Sequence, residues 1–427
     1  TRKEGDRPLL APSENLCLHL SLHFDPRRHT DSKTGGRSLT PVVTLPPSRV
    51  LTSRTRERLH FSDLTRAGVY GCLMPTVTLI PGDGIGPEVA AATRRVIDAA
   101  GPPIDWEVHD AGLATIETHG TPLPRHVIDS IVRNGVALKG PVTTPVGSGF
   151  RSINVALRQE LDLFASVRPC RSFPGVSSRF DDVDIVVVRE NTEDLYEGIE
   201  FEHGSPELRK LRGYLKYTHG YEIAADSGVS VKPISVSATK AIVEYAFEFA
   251  KRQRRRKVTL GHKANIMKFS DGVWLQTALQ VEGNYRDVGF DETQVDELAM
   301  SLVWSPQDLD VIVLPNLYGD IISDLCAGLI GGLGLAPGMN LGKDYAVFEP
   351  THGSAPDIAG KGLANPIAMI LSGAHMLRYL RFDAEARRVE AAVESVLAAG
   401  RHRTADLRPE GRPATTGDVA DAIVDAL

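Results

Sequence analysis

Gly147-Ser-Gly-Phe-Arg151-Ser152-Ile-Asn154-Val-Ala-Leu-Arg158-Gln-Glu-Leu-Asp-Leu-Phe-Ala-Ser-Val-Arg168-Pro169 is the stretch on which the reading of this chain turns. Arg151, Arg158 and Arg168 fall within it beside Ser152 and Asn154, and Arg189 follows. Gly147 and Gly149 give a flexible approach, and Ile153 to Leu163 reads as a helix. Side chains seven residues apart return to nearly the same helical face, so Arg151 and Arg158 point one way. Planar guanidinium groups grip carboxylates with paired hydrogen bonds, so the cluster suits a small polyanion. Taken singly, such arginines more often pair with nearby acids such as Glu160 and Asp162 on a solvated face. The small polar Ser152 and Asn154 among them favour the binding reading.

Outward from this stretch, apolar runs alternate with polar exits. Thr76–Ile80 reads as a strand, followed by the turn Pro81-Gly-Asp-Gly-Ile-Gly-Pro87 and a helix from Glu88 to Ala100. That turn lacks G-x-G-x-x-G spacing, so it is weak support for a Rossmann fold. Further strands are expected at 105–109 and 135–139, with Thr143 and Thr144 just beyond. Asp184-Ile-Val-Val-Val-Arg189 is a buried strand that empties into Glu-Asn-Thr-Glu-Asp-Leu-Tyr196, the way α/β enzymes present chemistry at strand ends. From Gly198 to Pro233 the sequence is irregular, with short β-like runs. A helix is expected from Ser237 to Lys257, its basic end (Lys251 to Lys257) complementing the helix dipole rather than binding nucleic acid.

Val258-Thr-Leu-Gly-His-Lys263-Ala-Asn265 is another strand with a polar exit; desolvation or neighbouring cations would let Lys263 act as a base. Asp296 opens a helix. Asp320 and Asp324 sit four apart on one helical face, where a hard divalent cation relieves their repulsion and helix-dipole stabilisation is the plainer alternative. Gly328 to Gly342 reads as a closely packed helix end and turn. The loop from Phe348 through Glu349, His352, Gly353, Ser354, Ala355, Asp357 and Ile358 to Asn365 is the most informative candidate cofactor segment. Helices are expected at 365–379 and 384–399, before a core-completing tail.

These motifs together resemble the β-decarboxylating dehydrogenases, the isocitrate and isopropylmalate dehydrogenase family, over about residues 75–427. Arg-Ser-Ile-Asn-Val-Ala-Leu-Arg is most similar to the NAD-dependent isocitrate branch. The resemblance implies a two-domain α/β fold that is not a Rossmann fold, with a small clasp insertion. Residues 75–160 and 331–427 would form the large cofactor-binding domain, 161–197 and 236–330 the small domain, and 198–235 the clasp of a homodimer with shared active sites. Arg158, Arg168 and Arg189 would hold carboxylates of a tricarboxylate substrate, with Ser152 and Asn154 at its γ-carboxylate. Tyr196 would protonate the enolate; Lys263, assisted by Asn265, would serve the neighbouring protomer's proton relay. Mg²⁺ or Mn²⁺ would lie on Asp320 and Asp324 of one protomer and Asp296 of the other. Thr144 would lie by the nicotinamide, and Glu349, His352 to Ala355, Asp357, Ile358 and Asn365 around the rest of the cofactor. NADP-using relatives carry a lysine-tyrosine pair where Asp357-Ile358 stands, and a carboxylate there repels a 2′-phosphate, so NAD is expected. Homoisocitrate or 3-isopropylmalate dehydrogenase, or a non-catalytic regulatory subunit of an isocitrate dehydrogenase, are the alternatives.

The bulk numbers agree with a soluble enzyme. The 427 residues are 42% hydrophobic with a net charge of −6, and no apolar run reaches membrane-span length, so no membrane partner is expected. Four scattered cysteines form neither a disulfide framework nor a zinc pattern, which implies a reducing, cytoplasmic setting. Residues 1–73 hold 12 basic against 7 acidic residues, without periodicity or clustered charge, and are expected to be a disordered or non-native extension. Their acids argue against a transit peptide.

Overall fold

The computed structural model describes residues 74–143 and 152–427. The expected extension at 1–73, and Thr144 and Arg151 with the residues between them, lie outside the described residues.

In chain order the elements are β1 (Thr76–Ile80), α1 (Gly86–Ala100), β2 (Asp105–Val108), α2 (Ala114–His119), α3 (Arg125–Asn134), β3 (Val136–Lys139), α4 (Ile153–Glu160), β4 (Ala165–Arg171) and β5 (Asp184–Glu190). After a 3-10 turn at Asp194–Glu197 come β6 (Glu200–Phe201), α5 (Pro206–His219), β7 (Val229–Ser230), α6 (Val236–Gln253), β8 (Lys257–His262), α7 (Ser270–Glu282), β9 (Gly289–Gln294) and α8 (Val295–Trp304). The chain closes with β10 (Val311–Leu314), α9 (Asn316–Leu329), β11 (Pro337–Leu341), β12 (Ala346–Pro350), α10 (Ile367–Tyr379), α11 (Asp383–Ala399) and α12 (Thr416–Asp425). None of the described helices is long and apolar enough to cross a membrane.

Ten strands make one mixed sheet in the order β2-β1-β3-β12-β11-β4-β5-β10-β8-β9, and β6 and β7 pair separately. One half of the sheet is β2, β1, β3 and β12 in parallel, the other β5, β10, β8 and β9 in parallel. Antiparallel β11 and β4 join them. Side-chain alternation puts the strands' two faces into two cores. Val77, Leu79, Val136, Leu138 and Phe348 face the larger core with α1, α10 and α11, whereas Ile80, Ala137 and Val347 face a smaller one closed by α3 and α4. β10 is wholly buried, all four of its side chains at 0% exposure, the signature of a parallel strand covered on both faces. Fully burying such side chains stabilises by about 1.5–3 kcal/mol each.

Three local expectations are corrected. Residues 206–219 form a 14-residue helix, not irregular chain: Ser205 caps it by accepting from Leu208 N, Pro206 occupies its first turn and Gly220 ends it at φ 71°. Those start and stop residues are readable signals. The basic run after residue 250 is not one solvated helix end. The helix stops at Gln253, Arg254 turns left-handed at φ 55°, and Lys257 begins β8. Arg255 turns inward to Asp310 (3.1 Å) and Asp184 (2.8 Å). The glycine-rich segment 328–342 contains β11, a central strand, whose Gly338 lies against the Glu349 carbonyl of β12. A strand built from Pro, Gly, Met, Asn and Leu carries almost no β-propensity, so only its neighbours define it.

Candidate active site

Within each half of the sheet the parallel strands bring their carboxyl ends to one edge, and the antiparallel β11 and β4 between the halves put those two edges on opposite sides. β5 ends in Arg189 and Glu190, β10 runs into Asn316, and β8 ends one residue before Lys263. In the other half β1, β3 and β12 end at Ile80, Lys139 and Pro350.

Arg189, at 1% exposure, is the centre of one cluster. Its Nε and Nη2 donate to Asn316 Oδ1 (3.0 and 2.6 Å), its Nη1 donates to Asp320, and its guanidinium lies 4.8 Å from the centroid of the Tyr196 ring. The Tyr196 hydroxyl donates to Asp320 Oδ2 (2.6 Å). Arg168 Nη1 donates to Ser323 Oγ (2.5 Å) and reaches Asp324 Oδ1 (3.4 Å), while its Nη2 reaches Asp320 Oδ1 (3.4 Å). Burial favours the neutral form of Asp320, but Arg189 and Arg168 outweigh it and hold the carboxyl below its usual range. Burial pushes Asp324 up, aided by the nearby Asp320 charge. Burial and the bond to Asp320 push the Tyr196 phenol up, so it keeps its proton. Burial also pulls Arg189 down to about 9, with Arg158 and Arg168 adding repulsion. Three cations are thus packed together with less negative charge than they need, an arrangement suited to an anion.

Arg158 stands at the next position, lining a concavity of about 110 Å³ with Asn154, Arg168, Lys139, Glu349 and His352. Arg158 Nε and Asn154 Oδ1 are buried without hydrogen-bond partners, and so is His352 Nε2. Buried orphans are rare in native proteins, and a bound ligand or ordered water would satisfy these. Glu349 is held inside the protein. It pairs with Lys139 (2.6 Å), accepts from Asn340 (2.7 Å) and lies 3.7 Å from Arg158. Burial would raise its pKa, yet Lys139 and Arg158 carry it down to about 2. A carboxylate depressed in this way stabilises the fold above its ordinary value of about 4.5, and that stability is lost as pH falls towards 2. Glu349→Gln should flatten the fall in stability over that window in urea titrations, and should lower stability at pH 7 by about 3–5 kcal/mol by leaving Lys139 buried and unpaired.

A tight approach holds Arg189 in place. A Cβ on Gly319 would fall 2.5 Å from Arg189 Cγ. Gly319→Ala should therefore destabilise by about 1–3 kcal/mol in denaturant titrations, as overpacked cores do. Gly319, Asn316, Ser323 and Lys139 join the site without having been singled out by the sequence reading. The legible signals were a lysine ending a buried strand and an Asn directly after Pro315.

The cofactor candidates lie on one edge of the sheet. The glycine turn is knitted to that edge: Ile85 N donates to Ser354 O (2.9 Å), and Asp83 N donates to Pro141 O (2.8 Å). The Asp83 carboxylate accepts from Leu113 N and Thr143 N (each 2.8 Å), and the Thr143 and Ser354 hydroxyls bond (2.6 Å). Gly84 is forced, since a Cβ there would fall 2.0 Å from Ser354 O. His352 donates from Nδ1 to Gly353 O (3.0 Å), which leaves the orphaned Nε2 an acceptor; burial keeps the ring neutral. Ala355 adopts φ 36°, and Gly353 and Asp357 are exposed, with Ile358 half-buried. Asn365 turns inward, donating to Asp406 (3.0 Å) and accepting from Ile367 N (3.0 Å). The orphaned ring nitrogen and the open Asp357 carboxylate fit an adenosine.

Lys263 and Asp296 form a second group. Lys263 Nζ donates to Gln294 Oε1 (3.1 Å) and to Asp296, whose carboxyl is lowered chiefly by that bond. Asn265 lies exposed on the turn after Lys263, next to Ile266 (70% exposed) and Phe269 (91%). Among the described residues no three acidic, histidine or cysteine side chains gather into a metal site, so Asp296 does not join Asp320 and Asp324 within one chain. Asp320 and Asp324 by themselves are hard oxygen donors with an open side, and they fit part of a divalent-cation shell.

Residues 76–423 match the family described as isocitrate/isopropylmalate dehydrogenase. The chain is 45% identical over 367 residues to the mitochondrial NAD isocitrate dehydrogenase catalytic subunit 5 of Arabidopsis thaliana, covering 86% of this chain and 92% of that one. It is 44% identical over 348 residues to a mitochondrial NAD isocitrate dehydrogenase regulatory subunit of Dictyostelium discoideum, covering 81% and 91%. Among solved structures, isocitrate dehydrogenase from Methylococcus capsulatus superposes with a TM-score of 0.77 at 48% identity, covering 83% and 99%. The expected cytoplasmic location is overturned by the relatives named mitochondrial. Thiol content reports a reducing setting and does not say which one. Matched over most of its length in sequence and fold, the chain belongs to the isocitrate/isopropylmalate dehydrogenase family.

Proposed function

We propose that this chain is a catalytic NAD-dependent isocitrate dehydrogenase, oxidising isocitrate and decarboxylating it to 2-oxoglutarate with Mg²⁺ or Mn²⁺. The observation that carries the reading is that buried Arg158, Arg168 and Arg189 pack close together, the first two lining a concavity with orphaned Arg158 Nε and Asn154 Oδ1. The arginines bind and orient the carboxylates, and the Ser152–Asn154 pair takes the γ-carboxylate. A polar pair there disfavours the alkyl group of isopropylmalate, which would leave it unpaired. Asp320 and Asp324 of one protomer, with Asp296 of the next, would hold the cation. When bound, the cation supplies Lewis acidity at the substrate hydroxyl, and NAD⁺ supplies the hydride acceptor. Lys263 Nζ moves the hydroxyl proton, with Asn265 beside it. Tyr196 keeps a proton on its hydroxyl for the carbon that loses CO₂.

Asp296, paired with Lys263, does not join Asp320 and Asp324 among the described residues, and exposed Ile266 and Phe269 follow Lys263 in the chain, which supports a dimer whose second copy completes each site. The segment 198–235 is read as its clasp, and the sheet's two halves as two lobes around the cleft. The relatives' printed compartment supports a mitochondrial protein. The regulatory name of one relative raises a non-catalytic reading. Tyr196, Lys263 and all three aspartates present here weigh against it.

Initial rates with Mg²⁺ on isocitrate, homoisocitrate and isopropylmalate, each with NAD⁺ and NADP⁺, test the proposal. The expected result is the highest kcat/KM for isocitrate with NAD⁺. A preference for NADP⁺ overturns the role given to Asp357, another acid overturns that of Ser152 and Asn154, and no turnover favours the regulatory reading.

A further inference from the structure

We propose that Lys232 is a positioning residue whose ammonium ties the loop carrying Lys263 to the segment carrying Tyr196 and the start of α9. The inference rests on the proton-handling roles given above to Lys263 and Tyr196. Lys232 lies two residues past β7, with its side chain 12% exposed. Its Nζ donates to Asp271 Oδ1 (2.6 Å), lies 3.9 Å from Asp194 Oδ1, and stands 4.3 Å from the Tyr318 ring centroid. Both carboxylates are at 0% exposure.

Each of these acids spends its other oxygen on the backbone of the site. Asp271 Oδ2 accepts from Lys263 N (2.7 Å), fixing the main chain of the lysine itself. Asp194 Oδ2 accepts from Leu317 N (2.8 Å), three residues before Asp320. Asp194 is also held at φ 71°, two residues before Tyr196, and its Oδ1 has no hydrogen-bond partner. Lys232, placed against both acids, is therefore the countercharge of two buried carboxylates. Without it, two buried carboxylates lose their common cation, and the loops that carry them loosen. Their loosening slackens the bonds that set Lys263 and α9. Lys232 belongs to the segment read as a clasp, so contacts made by that segment would reach Lys263 through this ammonium.

Amide hydrogen exchange and steady-state kinetics of the full chain test the tie. In Lys232→Met the Lys263 amide should exchange at least about tenfold faster while amides of β1 keep their protection, and Lys232→Arg should stay near the parent. On isocitrate, kcat should fall at least about tenfold with KM within about threefold, because the carboxylate-binding arginines are untouched. An unchanged Lys263 exchange rate, or equal acceleration in β1, overturns the proposal. Faster local exchange with unchanged kcat supports the tie and instead overturns the catalytic reading of Lys263. Should Lys232→Met not fold, Lys232→Gln gives the same test, since it stays polar, removes the charge and leaves the Asp271 bond to Lys263 N in place.

Discussion

Lys263→Met is expected to lower kcat on isocitrate by roughly 10²–10⁴-fold, the range of positioned acid–base groups, with KM little changed. The split follows from placement. Lys263 contacts Gln294 and Asp296, whereas the groups read as gripping carboxylates are Arg158, Arg168 and Arg189 in a separate cluster. Removing the lysine deletes a proton path and leaves that cluster whole. The melting temperature should stay near that of the parent, because Asp296 is 67% exposed and water takes over its solvation. Steady-state kinetics beside a thermal melt decide the matter. A rise in KM with kcat intact would make Lys263 a binding group, and full activity would remove it from the site.

Asp320→Asn is expected to act on chemistry, binding and stability together. Asp320 accepts from Arg189, Arg168 and Tyr196, and it is one of the two carboxylates read as cation ligands. With the charge gone, Arg189 stays at 1% exposure beside two other guanidinium groups, and Tyr196 loses the acceptor that orients its hydroxyl. We expect kcat/KM to fall by roughly 10³-fold, at or beyond the loss of one preorganised electrostatic group. The apparent Mn²⁺ affinity, followed by titration, should fall with it. The stability loss should stay below the roughly 3–5 kcal/mol of a wholly buried broken pair, since the Asp320 side chain is 38% exposed. Activity retained within about threefold would remove Asp320 from the reacting centre.

The legible part of the fold was the part with local signals. β1 and β5 are runs of β-branched and aliphatic residues bounded by turns, and the pattern locates them almost to the residue. α5 escapes the same reading although its cap, proline and glycine stop are all present, because its apolar face is thin: only Leu208 is buried. β11 gave nothing to find. Its order in the sheet comes from pairing with β4 and β12, contacts more than a hundred residues apart in one case.

The site divides in the same way. Residue type and family pattern singled out Arg158, Arg168, Arg189, Tyr196, Asp320 and Asp324, and folding packs them together around Arg189. Glu349 reads as part of the cofactor loop, yet the buried Lys139 and Asn340 hold it within the protein, a pairing across strands that no local pattern encodes.

By itself, then, the sequence determined the strands with a β-branched or aliphatic run, the polar strand ends and the chemistry each side chain can carry, because propensity and charge belong to individual residues. Tertiary structure alone decided which of those charges meet, which are buried, and how Lys232 joins Asp194 to Asp271. Those are properties of desolvation and distance, and they exist only once distant segments are packed.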